Sequence, residues 1–508
     1  MAETKSGSEP QGFLGPLRSF ARTYWLLNTI EMFERLAYFS LRTVAPIYIM
    51  QANDPGGLHL TAEKKGLIYG FWFIFQSVLP VFTGGIADRY GYKKILYFAI
   101  SANVLGYVIM AYGRSYSLFF TGVIVLATGT AFFKPSLWGS LAQNLNKENS
   151  SVGWGIFYWV VNIGAAAGPF IARGILGTSH TATDWRNLYL LCAGFTCLNI
   201  LLLFTFKDVP SGADKTEGIG QVLWRTLKNV FEPRLLAFLA ILSCFWLMMY
   251  QLWDLHPNFI TDWIDSSNMA ETLRKLPHPD YWAGMTERGY QVPQELLLSL
   301  NAILIILLVV PVSWIVRKMR TLSAMLIGMA VATAGIIVSG FTTSGWIFVW
   351  GVLFFSLGEM LTGPKKTEYL GLIAPPGKKG LYLGYVNIPV GVGGFVGSLL
   401  AGHIYGRWGE KATLALKYIA EHTEYGASRA WDGSVKTLES AMGIPRTEAM
   451  ARLQELTNMD AVQATRLLWD TYHPQYAVWI PIAAIGFAAI IALAVFGQMA
   501  KRWKDMNA

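Results

Sequence analysis

Glu31-Met32-Phe33-Glu34-Arg35-Leu36-Ala37-Tyr38 sits at the centre of a run from Tyr24 to Met50 that is long and apolar enough to cross a bilayer. The run nevertheless carries Glu31, Glu34, Arg35 and Arg42. A charged side chain at a bilayer centre costs about 2.5–3.5 kcal/mol on insertion scales. At about 100° per residue, positions 31, 34, 35, 38 and 42 fall within one stripe of a helix. Facing lipid, that stripe would be unstable, so it faces other helices or a water-filled cavity. A buried ion-pair cluster accounts for one Glu–Arg pair. The whole stripe reads as a functional polar path, the default for ionisable groups inside a membrane.

The rest of the chain has the same character. It has 508 residues, 53% hydrophobic and 14% charged, with a mean hydropathy of +0.37. A soluble protein would carry about 25% charge, so this is a polytopic membrane protein. The net charge of +9 does not point to nucleic acid, because the basic residues cluster at the ends of apolar runs, the positive-inside pattern. Cys192, Cys197 and Cys244 all lie within apolar runs, so neither a disulfide framework nor a metal site is expected. No metalloprotease or nucleophile-elbow motif accompanies the seven histidines, which excludes the usual hydrolases. The first apolar run is too long and too charged for a signal peptide, so the amino terminus is expected to be retained.

At about 20 apolar residues per crossing, twelve spans emerge: 24–50, 66–87, 95–113, 116–142, 152–176, 186–206, 235–262, 296–316, 321–341, 345–372, 380–405 and 475–499. The loops 88–94, 207–234 and 317–320 are rich in lysine and arginine and fall on the side of both termini, which makes that side cytoplasmic. The expected organisation is a tail 1–23, a six-helix half 24–206, a linker 207–234, a second half 235–499 and a tail 500–508. Two loops face outward, 265–295 and 409–474. The second carries amphipathic patterns at Ala412–Ala420 and Thr447–Trp469 and is expected to fold as a small helical cap, either a lid or a solvated insertion. Two halves of six form the layout of a major-facilitator transporter, whose halves rock about a midplane site.

Polar residues recur inside other spans. Gly84-Gly85-Ile86-Ala87-Asp88-Arg89 closes the second span and resembles the major-facilitator loop signature, with Asp88 and Arg89 as a cytoplasmic gate. The fourth span holds Lys134-Pro135, the fifth Phe157-Tyr158 and Asn162, the eighth Asn301. The tenth holds Glu359 with Pro364 and Ala374-Pro375. A lone Asn in a membrane helix serves as interhelical glue about as often as ligand.

Together with Glu31, Glu34, Arg35, Tyr38 and Arg42, these motifs resemble the proton-dependent oligopeptide transporter family. The resemblance touches six spans in both halves. It implies that Glu31, Glu34 and Arg35 handle protons and that Arg42 and Lys134 meet a peptide carboxylate. It further implies that Glu359 meets the amine, that Asn162 and Asn301 hold the peptide backbone, and that Tyr38 and Tyr158 line the same site. Three departures bear on the cargo. Phe39 follows Tyr38 where the family has a second tyrosine, Ala302 follows Asn301 where it often has proline, and Lys365-Lys366 follow Pro364 where it has small or apolar residues. The linker 207–234 is too polar to hold the two extra spans of many bacterial members.

The residues alone point the same way. Glu31, Glu34 and Glu359 against Arg35, Arg42 and Lys134 sum to zero, a neutral cavity with separated poles that suits a zwitterion. Trp246, Tyr250 and Trp253 share one face of the seventh span and form either a side-chain pocket, with Tyr250 in it, or ordinary packing. The expectation is a monomeric, multi-pass inner-membrane symporter of short peptides or peptide-like zwitterions, with both termini cytoplasmic and protons in place of any cofactor. Its rival keeps the fold and changes the cargo to another small organic anion or amino-acid derivative, as Lys365-Lys366 and Phe39 suggest. A membrane sensor would need no proton path, and no catalytic constellation supports an enzyme.

Overall fold

A computed structural model describes residues 19–146, 149–208, 224, 228–374 and 379–502. Lys215 and Arg225 of the linker, Pro375 of the tenth-span motif, residues 1–18 of the tail and residues 503–508 lie outside them.

Among the described residues, ten helices are long and apolar enough to cross a membrane, and a bent pair makes an eleventh crossing. The twelfth is the first, Arg22–Arg42, whose charges hide it from any apolar criterion. The architecture is therefore the expected twelve-span one, in two halves of six. Where spans break, proline is at hand. The first resumes as Ala45–Met50 with Pro46 at its second residue. The second runs Ala62–Val78 and Pro80–Tyr90, bent by 44° at Pro80. The seventh is Pro233–Met249, Gln251–Asp254 and His256–Trp263. The eleventh is Lys379–Gly384, a 3-10 turn at Tyr385–Asn387, and Ile388–Trp408. A proline lacks the N–H for the helical ladder and its ring clashes one turn back. The remaining spans are unbroken in assignment: Tyr92–Tyr112, Tyr116–Gln143, Ser150–Leu176, Ala182–Leu203, Gln294–Val316, Thr321–Gly340, Gly345–Ile373 and Pro474–Arg502.

The fold is helical as expected, with one small addition. The loop 265–295 contains a two-stranded antiparallel hairpin, Gly284–Thr286 with Gly289–Gln291, turned at Gly289 with a φ of +87°. Only glycine adopts that conformation freely.

Small residues set the approach of the halves. A Cβ on Gly66 would stand 2.5 Å from the Ser398 carbonyl, and one on Gly402 2.5 Å from the Ala62 carbonyl, so the second and eleventh spans touch backbone to backbone. Polar bonds then join the halves at the end that carries 265–295 and 409–474. Gln51 donates to Asp262 at 2.8 Å, Asn258 to the Pro46 carbonyl at 3.1 Å, Gln294 to the Thr43 carbonyl at 3.2 Å and Arg173 to the Tyr281 carbonyl at 2.9 Å.

The segment 411–472 forms short helices over that same end. Lys411–His422 buries Leu414, Ala415, Leu416 and Ile419. The pattern at Thr447–Trp469 is not one helix: Ala449–Thr457 stops at Asn458, φ +53°, and Asp460 caps a new helix, Ala461–Tyr472. The Trp263 indole donates to the Gly409 carbonyl at 2.8 Å, and Arg446 pairs with Glu410 at 2.5 Å. Arg446 also donates to the His59 carbonyl of the first half at 2.8 Å. The segment is thus tied to both halves.

Candidate functional site

The polar stripe of the first span is buried against the fifth and sixth spans. A Cβ on Gly164 would stand 2.5 Å from Arg35 Cβ, and one on Gly168 2.6 Å from Ser40 N. These glycines let the fifth span lie directly on the stripe. Asn199 of the sixth span donates to the Ile30 carbonyl at 3.1 Å. Within the stripe, Arg35 Nε stands 3.3 Å from Glu31 Oε1 and 2.5 Å from Glu34 Oε2. One guanidinium therefore serves two carboxylates, and Glu31 Oε2 has no hydrogen-bond partner.

Lys134 lies near enough to Glu31, Glu34 and Arg35 for their charges to act on it. It is not, however, the ion-pair partner of either glutamate. Both carboxylates go to Arg35, which shares their helix and needs no interhelical reach. The site has a cluster of Glu31, Glu34 and Arg35 with a separate ammonium facing it.

Arg42, 3% exposed, is held by rings rather than carboxylates. Its guanidinium carbon stands 3.8 Å from the Tyr69 ring centroid, 4.4 Å from Phe73 and 4.6 Å from Trp72. Its Nη1 and Nη2 have no hydrogen-bond partner. Cation–π contact stabilises such a group by about 0.5–2 kcal/mol and leaves its in-plane donors free. Tyr38 lies beside this box, with its hydroxyl accepting from Gln76 at 3.1 Å. Tyr69, Trp72, Phe73 and Gln76 are the residues that sequence reasoning passes over. Their spacing of i, i+3, i+4 and i+7 on the second span is the signal that would have found them.

Across the halves, the Tyr250 ring packs at a tilt against Phe73 with centroids 4.4 Å apart, and within its own span it packs at a tilt against Trp246 at 5.5 Å. Its surroundings include Tyr38, Arg42 and Glu359. Glu359 Oε2 accepts from Asn301 Nδ2 at 3.1 Å, and the same amide donates to Ser356 at 3.0 Å. Glu359 therefore faces protein, not lipid, and Asn301 is tied to it. Tyr158 retains half its surface and is close enough for the Glu359 charge to act on it. Asn162 donates to the Tyr158 carbonyl of its own helix at 2.8 Å.

Asp88 and Arg89 stand apart, in the last turn of Pro80–Tyr90 before Gly91, whose φ is +98°. Tyr92 donates to Asp88 at 2.7 Å, and Lys93 to the Phe206 carbonyl at 2.6 Å. Two cavities, of about 410 and 380 Å³, lie at the capped end and not among these residues.

A sequence model of the Major Facilitator Superfamily matches residues 28–398. Peptide transporter YePEPT of Yersinia enterocolitica subsp. palearctica serotype O:3 is 21% identical over 447 residues, 74% of this chain and 86% of its own. Multidrug resistance protein MdtH of Yersinia enterocolitica serotype O:8 is 20% identical over 433 residues, 84% of this chain and 97% of its own. The crystal structure of peptide transporter POT in complex with sulfate superposes with a TM-score of 0.65, over 99% of this chain and 98% of that one, at 15% identity. At such identities a structural likeness speaks for the fold alone. With a family model spanning most of its length and twelve spans in two halves, the chain belongs to the Major Facilitator Superfamily, a family of transporters and not of enzymes, and POT peptide transporters are among its structural neighbours.

Proposed function

We propose that this chain is a proton-coupled symporter that imports short peptides or peptide-like zwitterions by alternating access. It would work as a monomer in the inner membrane, with both termini cytoplasmic and with protons as its only co-substrate. One observation carries the reading. Arg42 is buried in the first half with two guanidinium nitrogens unpartnered, while Glu359 waits in the second half on a neutral amide. A carboxylate on Arg42 and an ammonium on Glu359 would complete both and draw the halves together.

Lys134 adds positive charge for the carboxylate. Tyr38, Tyr158 and Tyr250 line the space between, and the Asn162 and Asn301 amides exchange their present bonds for the ligand's peptide group. A proton on Glu31 or Glu34 releases part of the hold on Arg35 and so couples the first span to its neighbours. Asp88 and Arg89 would close the cytoplasmic end. Bonds between the halves hold the capped end together. The likeness to the peptide transporter YePEPT supports this cargo.

The test is uptake of labelled dialanine into proteoliposomes with an acidic exterior. Accumulation that a protonophore collapses is the expected result, and uptake indifferent to the gradient would overturn the coupling. The second reading, a small organic anion or amino-acid derivative as cargo, is favoured by Lys366, a cation that the zwitterion scheme leaves unused.

A further inference from the structure

The tenth span carries two adjacent lysines with different fates. Lys365 is settled, pairing with Glu368 at 2.8 Å and reaching the Met319 carbonyl at 3.4 Å. Lys366 is not. It lies seven residues beyond Glu359, which returns it to the same helix face about 10 Å along the axis. It is 9% exposed, with its ammonium 4.1 Å from the Trp246 ring centroid. No hydrogen bond or ion pair joins it to another described residue, and Glu359 acts on it only through space.

Charge counting then changes. Glu31, Glu34 and Glu359 contribute three negative charges; Arg35, Arg42, Lys134 and Lys366 contribute four positive ones, and −3 + 4 = +1. The first half carries that excess (−2 + 3 = +1), and in the second half Lys366 matches Glu359 in charge (−1 + 1 = 0) without touching it. An aromatic face compensates a buried cation only in part, and an ammonium removed from water without an anion is unstable. Geometry ties this cation to the proposed site. Lys366 stands over Trp246, whose ring packs at a tilt against Tyr250, which packs at a tilt against Phe73, which lies under Arg42. Two unpaired cations thus flank one wall of rings, one in each half.

We propose that Lys366 holds a second acidic group of the cargo, so that the preferred substrate is a short peptide with one net negative charge, its acid on the amino-terminal residue beside Glu359. This rests on the transport reading above and narrows it.

The experiment is a concentration-dependent thermal shift of the purified full chain with Glu-Ala, Ala-Ala and Lys-Ala, and with L-glutamate as a non-peptide probe. It is run on wild type, Lys366→Met and the charge-keeping Lys366→Arg. We expect wild type to bind Glu-Ala at least about tenfold tighter than Ala-Ala, the gap to fall within about twofold in Lys366→Met, and Lys366→Arg to keep it. Equal binding of Glu-Ala and Ala-Ala by wild type would overturn the Lys366 role while leaving peptide transport standing. So would an equal loss of both in Lys366→Met, which would make Lys366 a support for Glu359. Binding of L-glutamate alone, lost in Lys366→Met, would uphold the acidic subsite and remove the peptide reading. No binding by any probe would overturn both.

Discussion

Lys65 Nζ and Asp254 Oδ1 meet at 2.6 Å across the two halves, both side chains essentially without exposed surface. Lys65 also donates to the Asp254 carbonyl at 2.5 Å, and the Ser398 hydroxyl donates to the other carboxylate oxygen. A pair so buried contributes little net stability, but removing one partner strands a charge at a cost of roughly 3–5 kcal/mol. It therefore acts as a latch on the closed end. Lys65→Met or Asp254→Asn should shift spin-label distances across the capped end toward the open form, and the reversed pair Lys65→Asp with Asp254→Lys should restore them. Unchanged distances in both single variants would remove the latch.

Glu34→Gln should abolish gradient-driven accumulation while counterflow of the same ligand remains measurable. Glu34 makes the closest contact with Arg35, and a neutral amide there cannot exchange a proton. Undiminished proton-driven uptake in this variant would sink the assignment of the first-span cluster.

Glu359→Gln should erase discrimination between a free dipeptide and its amino-acetylated analogue. A charge-assisted hydrogen bond contributes about 1.5–3 kcal/mol, so wild type should favour the free amine by roughly tenfold to a hundredfold. Competition binding measures it, and a wild type blind to acetylation would disprove the role.

His180 lies in the loop between the fifth and sixth spans, its ring 2.7 Å from Asp54. Burial disfavours the charged ring, but the Asp54 hydrogen bond and charge outweigh it and hold the His180 pKa above its ordinary 6.5. A raised folded-state value stabilises the protein fully below the unfolded-state value, and the contribution fades as pH rises through the folded one. His180→Ala should therefore lower the melting temperature more at pH 5.5 than at pH 8.5. An equal deficit at both would mean the ring packs there without its charge.

The crossings, the division into halves and the charged stripe of the first span are all legible in the amino-acid order. They follow from hydrocarbon thickness, from the positive-inside rule and from the period of a single helix. Even Asp88, Arg89 and Glu359 can be located by such local rules. What each charge meets cannot, because hydropathy carries no register between helices. By charge alone Lys134 or Arg35 could pair with Glu31 and Glu34, and it is Arg35 on their own helix that takes both. Lys65 and Asp254 stand 189 residues apart, and only the backbone contact of the second and eleventh spans brings their ends together. Lys365 and Lys366 are neighbours in the sequence, and helical period returns only Lys366 to the face of Glu359 without saying what either lysine meets. The rotation of the tenth span separates them, and that rotation is set where Gly358 packs on the Ala332 backbone and Gly328 on Thr362. Contacts that close leave one angle for the helix, and it turns Lys365 to Glu368 and Lys366 to Trp246.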